Sequence, residues 1–355
     1  MTIDAFGAGR RKKVVFIAEL SVTTCSGAQR LWALEQCGAT VTAIDIKRYR
    51  NAFGHIGGNW ARLTRRFELL YDQDRLESDI VDACARTSAE WVWFEWPRSF
   101  SPNFLRRLKA LVPEATLISF QDDNPFGTRA GDRWQWRSYF RCVPLFDLHL
   151  VKRPSDVENL SRLGAKQCRL WMHGIYRPLF RPPTGDGKKI YPISFVGTCF
   201  DDRAELFEHL IGRCNLPVHV FGSHWRRRTS LPRRFPSLFH GEVTGESYAD
   251  VIRGSGACIG LVSTSHHDEW SLRTFEIPGC ATAFIAQRTP LHERLFRENS
   301  EALLFSSPED CALAVRGLLD DPKRASDIGN AGFQRCVAEN RFIDTRMREL
   351  VLELG

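Results

Sequence analysis

The segment around Arg273 combines residue types that suit the binding of a phosphorylated ligand. Ser271 is a good N-cap, so a helix starting here would point the backbone amides of residues 272–274 outward, where they can cradle a phosphate. Arg273 adds a fixed positive charge, and Glu276 lies one turn further on the same helix face. The spacing predicts an anion site at a helix start. An exposed Arg/Glu pair on a helix surface has the same spacing, so the pattern alone leaves both interpretations open.

A second phosphate-binding pattern lies earlier in the same half of the chain. A predicted strand, Tyr191–Gly197, enters a glycine turn at Gly197 and Thr198, and a predicted helix over 203–213 begins with Arg203. Glycine lets the backbone approach a phosphate closely, and Arg203 is near enough in sequence to add a second charge. A strand followed by a glycine turn and a helix is a common pattern and is weak evidence alone. Its position at the first strand of a domain favours phosphate binding here.

In the first half of the chain, polar residues follow the ends of two apolar strands. The loop Ser21–Gly27, which includes Ser26 and Gly27, follows one strand, and the adjacent aspartates Asp122 and Asp123 follow another. We expect these four residues on the acceptor side of a ligand cleft, because ligands of α/β proteins bind at the carboxyl ends of the strands. Two interpretations of the aspartates remain open, a magnesium site or turn formation.

Strands and helices must hold these residues in place, and the hydrophobic pattern supplies them. Apolar runs of strand length, such as Glu90–Glu95, alternate with helical stretches, which predicts an α/β fold of two Rossmann-like, doubly wound domains. The 355 residues are enough for two cores. A linker rich in Pro, Gly and charge at 181–189 separates a predicted acceptor domain, 1–180, from a donor domain, 190–339. A C-terminal helix at about 340–355 could pack back on the first domain.

Composition disfavours several classes of protein. The chain contains no run of about 18 or more apolar residues and no apolar leader with a cleavage site, so we expect neither a membrane span nor a secretion signal. The 11 cysteines are an odd number without a CxxC pair. This favours reduced cysteines and disfavours zinc. We therefore expect a cytoplasmic protein without a zinc site.

Positive charge is concentrated in one segment. The formal net charge is +7, and the ten residues from Trp225 to Arg234 include five arginines around a proline, which predicts a loop. This Arg226–Arg234 loop is either simply solvated or a patch for an anionic surface, an acceptor or nucleic acid. Peripheral contact with a membrane belongs to the second interpretation. Nucleic acid is disfavoured, because the charge sits on a short insertion.

The run Arg273-Thr-Phe-Glu-Ile-Pro-Gly-Cys280 resembles the CgeB-like glycosyltransferases, relatives of glycosyltransferase family 4 that carry Arg-Thr-Phe-Glu-Ile-Pro-Ala-Cys-Gly at this point. The similarity continues through Glu301–Glu309 and Ile328–Gly332, and upstream through Phe195–Thr198 and Gly174–Pro182. The resemblance implies the GT-B fold, in which two Rossmann-like domains face each other across a cleft. It also implies transfer of a sugar from a nucleoside-diphosphate sugar.

The resemblance also implies roles for individual residues. Glu276 would bind the ribose hydroxyls, while Arg203 and Arg273 would stabilise the leaving phosphate. Family 4 enzymes place another glutamate, with seven residues between, beside the donor sugar. Counting back from Glu276 gives Asp268 as a shorter substitute, and a register shift of one would give Glu269 instead. The other residues expected to bind the donor are Gly197, Thr198, Gly222, Tyr248, Ser271, Leu272 and Thr274.

The family further implies retention of the donor's anomeric configuration, with the leaving phosphate taking the acceptor's proton. Neither a metal nor a cofactor would then be required. The acceptor could be a glycan, a protein or a lipid-linked molecule. The alternative is a non-catalytic protein of the same fold that binds a nucleotide-sugar or an anionic partner, in which Asp268 no longer serves. A solvated loop explains His266 and His267 better than a catalytic base does, because neither has a recognisable partner.

Overall fold

The computed structural model of the chain describes residues 11–21, 25–50, 71–127, 135–185 and 189–354. Residues 22–24 of the predicted loop Ser21–Gly27 lie outside these ranges. The chain divides into two compact units, Met1–Met172 with Asp344–Gly355, and His173–Ile343. The contacts thus change from the first unit to the second at residue 173, before the linker that the sequence places at 181–189.

One parallel sheet forms the centre of the first unit. Its strands are β1 (Lys13–Ala18), β2 (Thr40–Asp45), β3 (Trp91–Glu95), β4 (Thr116–Gln121), β5 (Leu148–Val151) and β6 (Cys168–Leu170). They pair in the order β2-β1-β3-β4-β5-β6. All five residues of β3 are buried, as expected for a central strand covered on both faces. The carboxyl ends of β1, β3 and β4 are therefore neighbours at one edge of the sheet.

Helices connect the strands of the first unit. They are α1 (Ser26–Gln36), α2 (Gln73–Thr87), α3 (Pro102–Leu111), α4 (Arg137–Cys142) and α5 (Pro154–Arg162). The start of α3 follows from its sequence, because the Ser101 side chain accepts a hydrogen bond from the amide of Phe104 at 3.2 Å and proline occupies the first turn. Phe104, Leu105 and Leu108 of this helix are fully buried in the core.

A second parallel sheet forms the centre of the second unit. Its strands are β7 (Tyr191–Val196), β8 (Val218–Phe221), β9 (Phe239–His240), β10 (Ser255–Gly260), β11 (Ala283–Gln287) and β12 (Leu303–Phe305). They pair in the order β12-β11-β10-β7-β8-β9. The strand order changes direction between β7 and β10. A crevice opens beyond the carboxyl ends of the strands at such a point, which places Gly197, the residue after β7, at its mouth.

The helices of the second unit are α6 (Arg203–Phe207), α7 (Trp225–Arg228), α8 (Leu231–Arg234), α9 (Gly245–Arg253), α10 (Arg273–Gly279), α11 (Pro290–Leu295), α12 (Pro308–Asp320) and α13 (Pro322–Ala338). The helix predicted over 203–213 is α-helical only to Phe207 and continues as a π-helical turn over Glu208–Arg213.

The prediction of a loop at Arg226–Arg234 was wrong, because most of this segment lies in the two short helices α7 and α8. Trp225 and Leu231 are buried in the core of the second unit. Packing of these two side chains, rather than local propensity, accounts for the helical turns.

The last helix, α14 (Ile343–Leu354), packs on the first unit. The indole Nε1 of Trp171 donates to the carbonyl of Arg346 at 3.4 Å, and Arg169 forms an ion pair with Glu353 at 2.6 Å. Among the helices of the described residues, none combines the length and the apolar character needed to cross a bilayer.

Candidate functional site

Two glycines bring the ends of β7 and β8 into close contact. Gly222 has a φ of +137°, and a Cβ atom there would lie 2.3 Å from the carbonyl oxygen of Gly197. That same oxygen accepts a hydrogen bond from the indole Nε1 of Trp225 at 3.0 Å, and the Gly197 amide donates to the carbonyl of Phe221 at 2.8 Å. Backbone contact between the two strand ends therefore leaves no room for a side chain at position 222.

We expect Gly222→Ala to destabilise the second unit by about 1–3 kcal/mol from backbone strain alone, with the steric overlap adding to that cost. Gly241→Ala is the matched control. Gly241 accepts from the Gly222 amide through its carbonyl at 3.2 Å, but a Cβ atom there would meet nothing within 4 Å. Urea unfolding of both variants measures the difference. Equal stabilities would contradict the close approach.

Arg203, at the start of α6, is held against the loop that follows β7. Its side chain is buried, and Nη1 donates to the carbonyl of Thr198 at 2.9 Å. The guanidinium lies 3.7 Å from the ring centroid of Phe200, which fixes its plane by stacking. Burial lowers the pKa of Arg203 to about 10, and the positive charge of Arg273 adds to this effect. The two arginines are thus close enough to repel each other, and a bound anion would relieve that repulsion.

Arg273, at the start of α10, contacts the same loop from the other side. Its Nε donates to the carbonyl of Val196 at 3.3 Å and lies 3.9 Å from the Glu276 carboxylate. The guanidinium is 5.5 Å from the ring centroid of Tyr248, and about a third of the side chain (32%) remains exposed. Arg203 and Arg273 therefore bond to carbonyls on either side of Gly197, which gives this loop two positive charges.

Glu276 is buried beneath Arg273. The hydroxyl of Tyr248 donates to its carboxylate, and the Tyr248 ring packs edge-on against Phe180. Burial raises the pKa of Glu276 above its ordinary value, while Arg273 and the Tyr248 hydrogen bond offset part of that shift. The carboxylate is therefore held in a fixed orientation by a phenol and a guanidinium. The structure brings together Arg203, Arg273, Glu276 and Tyr248; their roles toward a donor remain predictions.

The start of α10 differs from the sequence prediction. Leu272, not Ser271, is the N-cap, and the Thr274 amide bonds to the carbonyl of Ser271 at 3.0 Å. The Thr274 hydroxyl accepts from the Ser271 amide at 3.2 Å. Of the three amides expected to face a phosphate, the Thr274 amide is therefore used within the turn, while the Thr274 hydroxyl holds the neighbouring Ser271 amide.

His292 orients that threonine. Its Nδ1 contacts the carbonyl of Gln287 at 2.7 Å, and its Nε2 lies 2.8 Å from Thr274 Oγ1. A carbonyl can only accept, so Nδ1 carries the proton and Nε2 accepts from the hydroxyl. Burial lowers the pKa of His292 to about 4, which keeps the ring neutral. His292 is thus a positioning residue for the helix that carries Arg273 and Glu276.

The two acids that the sequence offered beside the donor sugar differ in their surroundings. The Glu269 carboxylate lies 3.7 Å from Arg294 in an ion pair. Asp268 is half-buried, and its amide donates to the carbonyl of Ser263 at 3.0 Å. Nearby, the Asp201 carboxylate accepts from Ser263 at 2.9 Å, which fastens this loop to the one preceding α6. The choice between Asp268 and Glu269 beside the donor sugar stays a prediction.

In the first unit, the predicted acceptor-side residues Ser26 and Asp122 are in contact. The Ser26 hydroxyl donates to Asp122 Oδ2 at 3.0 Å and accepts from Arg30 at 2.8 Å. Arg30 is fully buried and forms two hydrogen bonds to Glu95, at 2.8 and 2.6 Å. Although burial disfavours its charge, Glu95 and Asp122 keep the pKa of Arg30 above its ordinary value. One arginine therefore holds two carboxylates at the carboxyl ends of β3 and β4.

The other two residues of the acceptor side have backbone roles in the structure. A Cβ atom at Gly27 would lie 3.1 Å from that of Ala18, so α1 packs closely on the end of β1. The carbonyl of Asp123 accepts from the Gln121 amide group at 3.2 Å. Among the described residues, no group of three or more His, Cys, Asp or Glu side chains could hold a metal ion.

Comparison with solved structures identifies the architecture. The chain is similar to sucrose-phosphate synthase from Thermosynechococcus elongatus, with a TM-score of 0.63 and 16% identity over 97% of this chain and 98% of that one. Anabaena HepE in complex with UDP and glucose gives a TM-score of 0.63 at 9% identity, over 97% and 99% of the two chains. A glycosyltransferase from Rickettsia africae gives 0.59 at 13%, over 97% and 98%. The chain has the GT-B fold.

Sequence comparison adds a family for part of this GT-B chain. Residues 203–351 match the profile of a family described as glycosyl transferase-like, and this range contains Arg203, Tyr248, Arg273 and Glu276. A search of curated proteins finds no match. The residues brought together in the second unit therefore lie within the matched range.

Some residues of this GT-B chain that shape the two sites were missed by the sequence analysis. Arg30 and Glu95 are 65 positions apart, so no local pattern joins them. Asp201 stands two residues before Arg203 in a short acidic pair, and His292 lies in a Thr-Pro-Leu-His segment that gives no sign of its partner Thr274. A buried charged residue in a strand, such as Glu95 at the end of an apolar run, was the one signal that could have indicated a partner.

Proposed function

We propose that this protein is a glycosyltransferase that moves a sugar from a nucleoside-diphosphate sugar to an acceptor. The observation that carries the proposal is the convergence of Arg203 and Arg273 on the carbonyls of Thr198 and Val196, beside a carboxylate fixed by Tyr248. The side chains of Arg203, Tyr248 and Arg273 lie in the range 203–351 that matches the glycosyl transferase-like family. The GT-B fold, shared with HepE solved with UDP and glucose, makes a UDP-sugar the first donor to test.

The charge balance of the site suits a diphosphate. Glu276 lies near Arg273, and Asp201 and Asp202 offset part of the repulsion that the charge of Arg273 exerts on Arg203. Planar guanidinium groups bind phosphate oxygens through paired hydrogen bonds. The charge of a leaving nucleoside diphosphate rises as the glycosidic bond breaks, so preorganised arginines stabilise the transition state more than the ground state.

We propose a mechanism without a metal or a dedicated base on the donor side. Arg203 and Arg273 would neutralise the leaving phosphate, which could then take the acceptor's proton as transfer proceeds with retention. Asp268 would lie beside the donor sugar, because seven residues separate it from Glu276. On the acceptor side, Asp122 keeps part of its surface exposed (18%) while Ser26 and Arg30 orient it. It is therefore placed to bind an acceptor hydroxyl.

The test is a screen of nucleoside-diphosphate sugars for hydrolysis and for transfer to glycan acceptors, with and without EDTA. We expect turnover with at least one donor, undiminished by EDTA, and NMR of the early product should show the donor's anomeric configuration. Binding of a donor without hydrolysis or transfer would favour the non-catalytic alternative. An inverted product would require a general base and make Asp122 the first candidate.

Glu276→Gln should weaken donor binding about tenfold or more, because a charge-assisted hydrogen bond to a ribose hydroxyl contributes about 1.5–3 kcal/mol. Gln keeps the size of the side chain and can still accept from Tyr248, so folding should be unaffected. Titration with the nucleoside diphosphate alone measures the effect. Glu293→Gln, on the exposed end of α11, is the control. Unchanged affinity in Glu276→Gln would contradict the ribose role.

A further inference from the structure

The second unit carries a strongly basic surface on α7 and α8. It consists of five exposed arginines, which we call the arginine face: Arg226, Arg227, Arg228, Arg233 and Arg234. The opposite side of both helices is apolar. Trp225 and Leu231 are buried in the core, and the indole of Trp225 bonds to the carbonyl of Gly197 at 3.0 Å. The arginines are thus displayed on a fixed support rather than on a loop.

Most of these charges lack an acidic partner within the described part of the chain. Arg234 pairs with Glu208 at 2.6 Å, whereas no carboxylate of the described residues lies within ion-pair distance of the other four arginines. Elsewhere in the same unit, the exposed Arg294 and Arg297 lie within ion-pair distance of Glu269 and Glu301. Several like charges gathered without counter-charges raise the local potential and attract an anionic partner.

The residue types indicate the class of anion. All five charges are arginines, whose planar groups bind phosphate oxygens by paired hydrogen bonds, whereas lysines act as point charges. A single-stranded nucleic acid would also need an exposed ring for base stacking, but the ring of Trp225 is only 3% exposed and the partly buried ring of Phe235 packs against the core. Two helices of four residues each are too short to follow a duplex groove. Binding to the phosphate headgroups of a lipid bilayer requires neither an exposed aromatic ring nor a long helix.

We propose that the arginine face docks this protein peripherally on an anionic lipid bilayer through the headgroup phosphates. The proposal is independent of the sugar-transfer function. Its structural consequence is a fixed orientation: because Trp225 connects α7 to Gly197, docking would hold the loop that carries the Arg203 contact at a constant distance from the bilayer surface. Each arginine near an anionic surface strengthens binding about fivefold.

The test is co-sedimentation of the full chain with vesicles of phosphatidylcholine alone or mixed with phosphatidylglycerol, at near-physiological salt. We expect binding only to the mixed vesicles. Replacing Arg226, Arg227, Arg228 and Arg233 by Gln should lower the partition coefficient about 10²- to 10³-fold, from about fivefold per arginine. The control variant replaces four other exposed arginines by Gln, Arg86, Arg106, Arg141 and Arg324, with the same change in net charge.

The control separates a local docking surface from a general effect of charge. Equal losses in the two variants would overturn the proposal, as would absence of binding to the mixed vesicles. Binding of single-stranded DNA at the same salt, lost only in the arginine-face variant while vesicles do not bind, would assign the face to nucleic acid instead. Circular dichroism of both variants checks that α7 and α8 remain folded, and because the arginines point away from the core we expect unchanged spectra.

Discussion

Arg273→Ala should lower turnover about 10²- to 10³-fold while changing the Michaelis constant for the donor much less, as for the loss of one preorganised donor to a developing negative charge. Arg273 is fixed by its bond to the Val196 carbonyl and by the Tyr248 ring, so no reorganisation is needed when the leaving phosphate gains charge. Steady-state kinetics with the preferred donor measures both constants.

Two further variants distinguish the possible roles of Arg273. Arg273→Lys keeps the charge but loses the planar group, so we expect partial recovery of turnover. If Arg273 served only to position Glu276, at 3.9 Å, Arg273→Ala would instead resemble Glu276→Gln, with weaker donor binding and little loss of turnover. Arg316→Ala, exposed on α12, is the control and should behave as wild type. A change confined to the Michaelis constant would make Arg273 a ground-state anchor.

The sheets were predictable because their strands are short, apolar and bounded by breakers. The strand expected at Glu90–Glu95 appears as Trp91–Glu95, and the one expected at Tyr191–Gly197 as Tyr191–Val196. Burial on both faces makes each strand a continuous apolar run, and the short length of these runs distinguishes them from buried helices. The order of strands and helices along the chain predicted two doubly wound units, and the structure confirms the fold class.

Features set by tertiary contacts were not predictable. The two helical turns at 225–234 form because Trp225 and Leu231 reach the core, whereas the local sequence, with five arginines and a proline, favours a loop. The N-cap expected at Ser271 moved to Leu272 because Thr274, oriented by His292, takes the Ser271 amide. In both cases the residues in contact are not spaced at a helix or strand period, so the sequence pattern does not indicate that they are close.

In the candidate site, only the contact within a single helix was predictable from the sequence pattern. Arg273 and Glu276 share one helix turn, so their proximity follows from helix geometry. The proximity of Tyr248 to Glu276 and of Arg203 to Arg273 joins different elements and depended on the resemblance to a family. Neither helix geometry nor the resemblance to a family indicates the buried cluster of Arg30, Glu95 and Asp122. Of its three members, only Asp122 was a predicted site residue.

That cluster yields the prediction with the largest effect on stability. Arg30→Met should destabilise the first unit by about 3–5 kcal/mol, because removing one partner leaves Glu95 as an uncompensated buried carboxylate. Met preserves much of the apolar volume, so the loss reports charge rather than a cavity. Urea unfolding followed by tryptophan fluorescence measures the effect, since Trp93 donates from its indole to Glu95 at 2.8 Å and senses this region.

The destabilisation should grow as pH rises. Burial already raises the pKa of Glu95 above its ordinary value, and the ion pair with Arg30 offsets part of that shift. Without Arg30 the pKa rises further, so the native state keeps a proton that the unfolded state has lost. Stability then falls through this pH range by up to about 1.4 kcal/mol per pH unit for one proton. Unfolding at about pH 5 and about pH 8 should therefore differ more in Arg30→Met than in wild type.

Arg30→Met combined with Glu95→Gln separates charge from packing. The double variant has no buried carboxylate at position 95, and the amide oxygen of Gln can still accept from Trp93, so most of the stability should return and the added pH dependence should vanish. Arg30 also lies 3.8 Å from the ring centroid of Phe120. If stacking on that ring were its main contribution, Arg30→Met would be equally destabilised at both pH values and Glu95→Gln would restore nothing, which would contradict the account of one arginine neutralising two carboxylates.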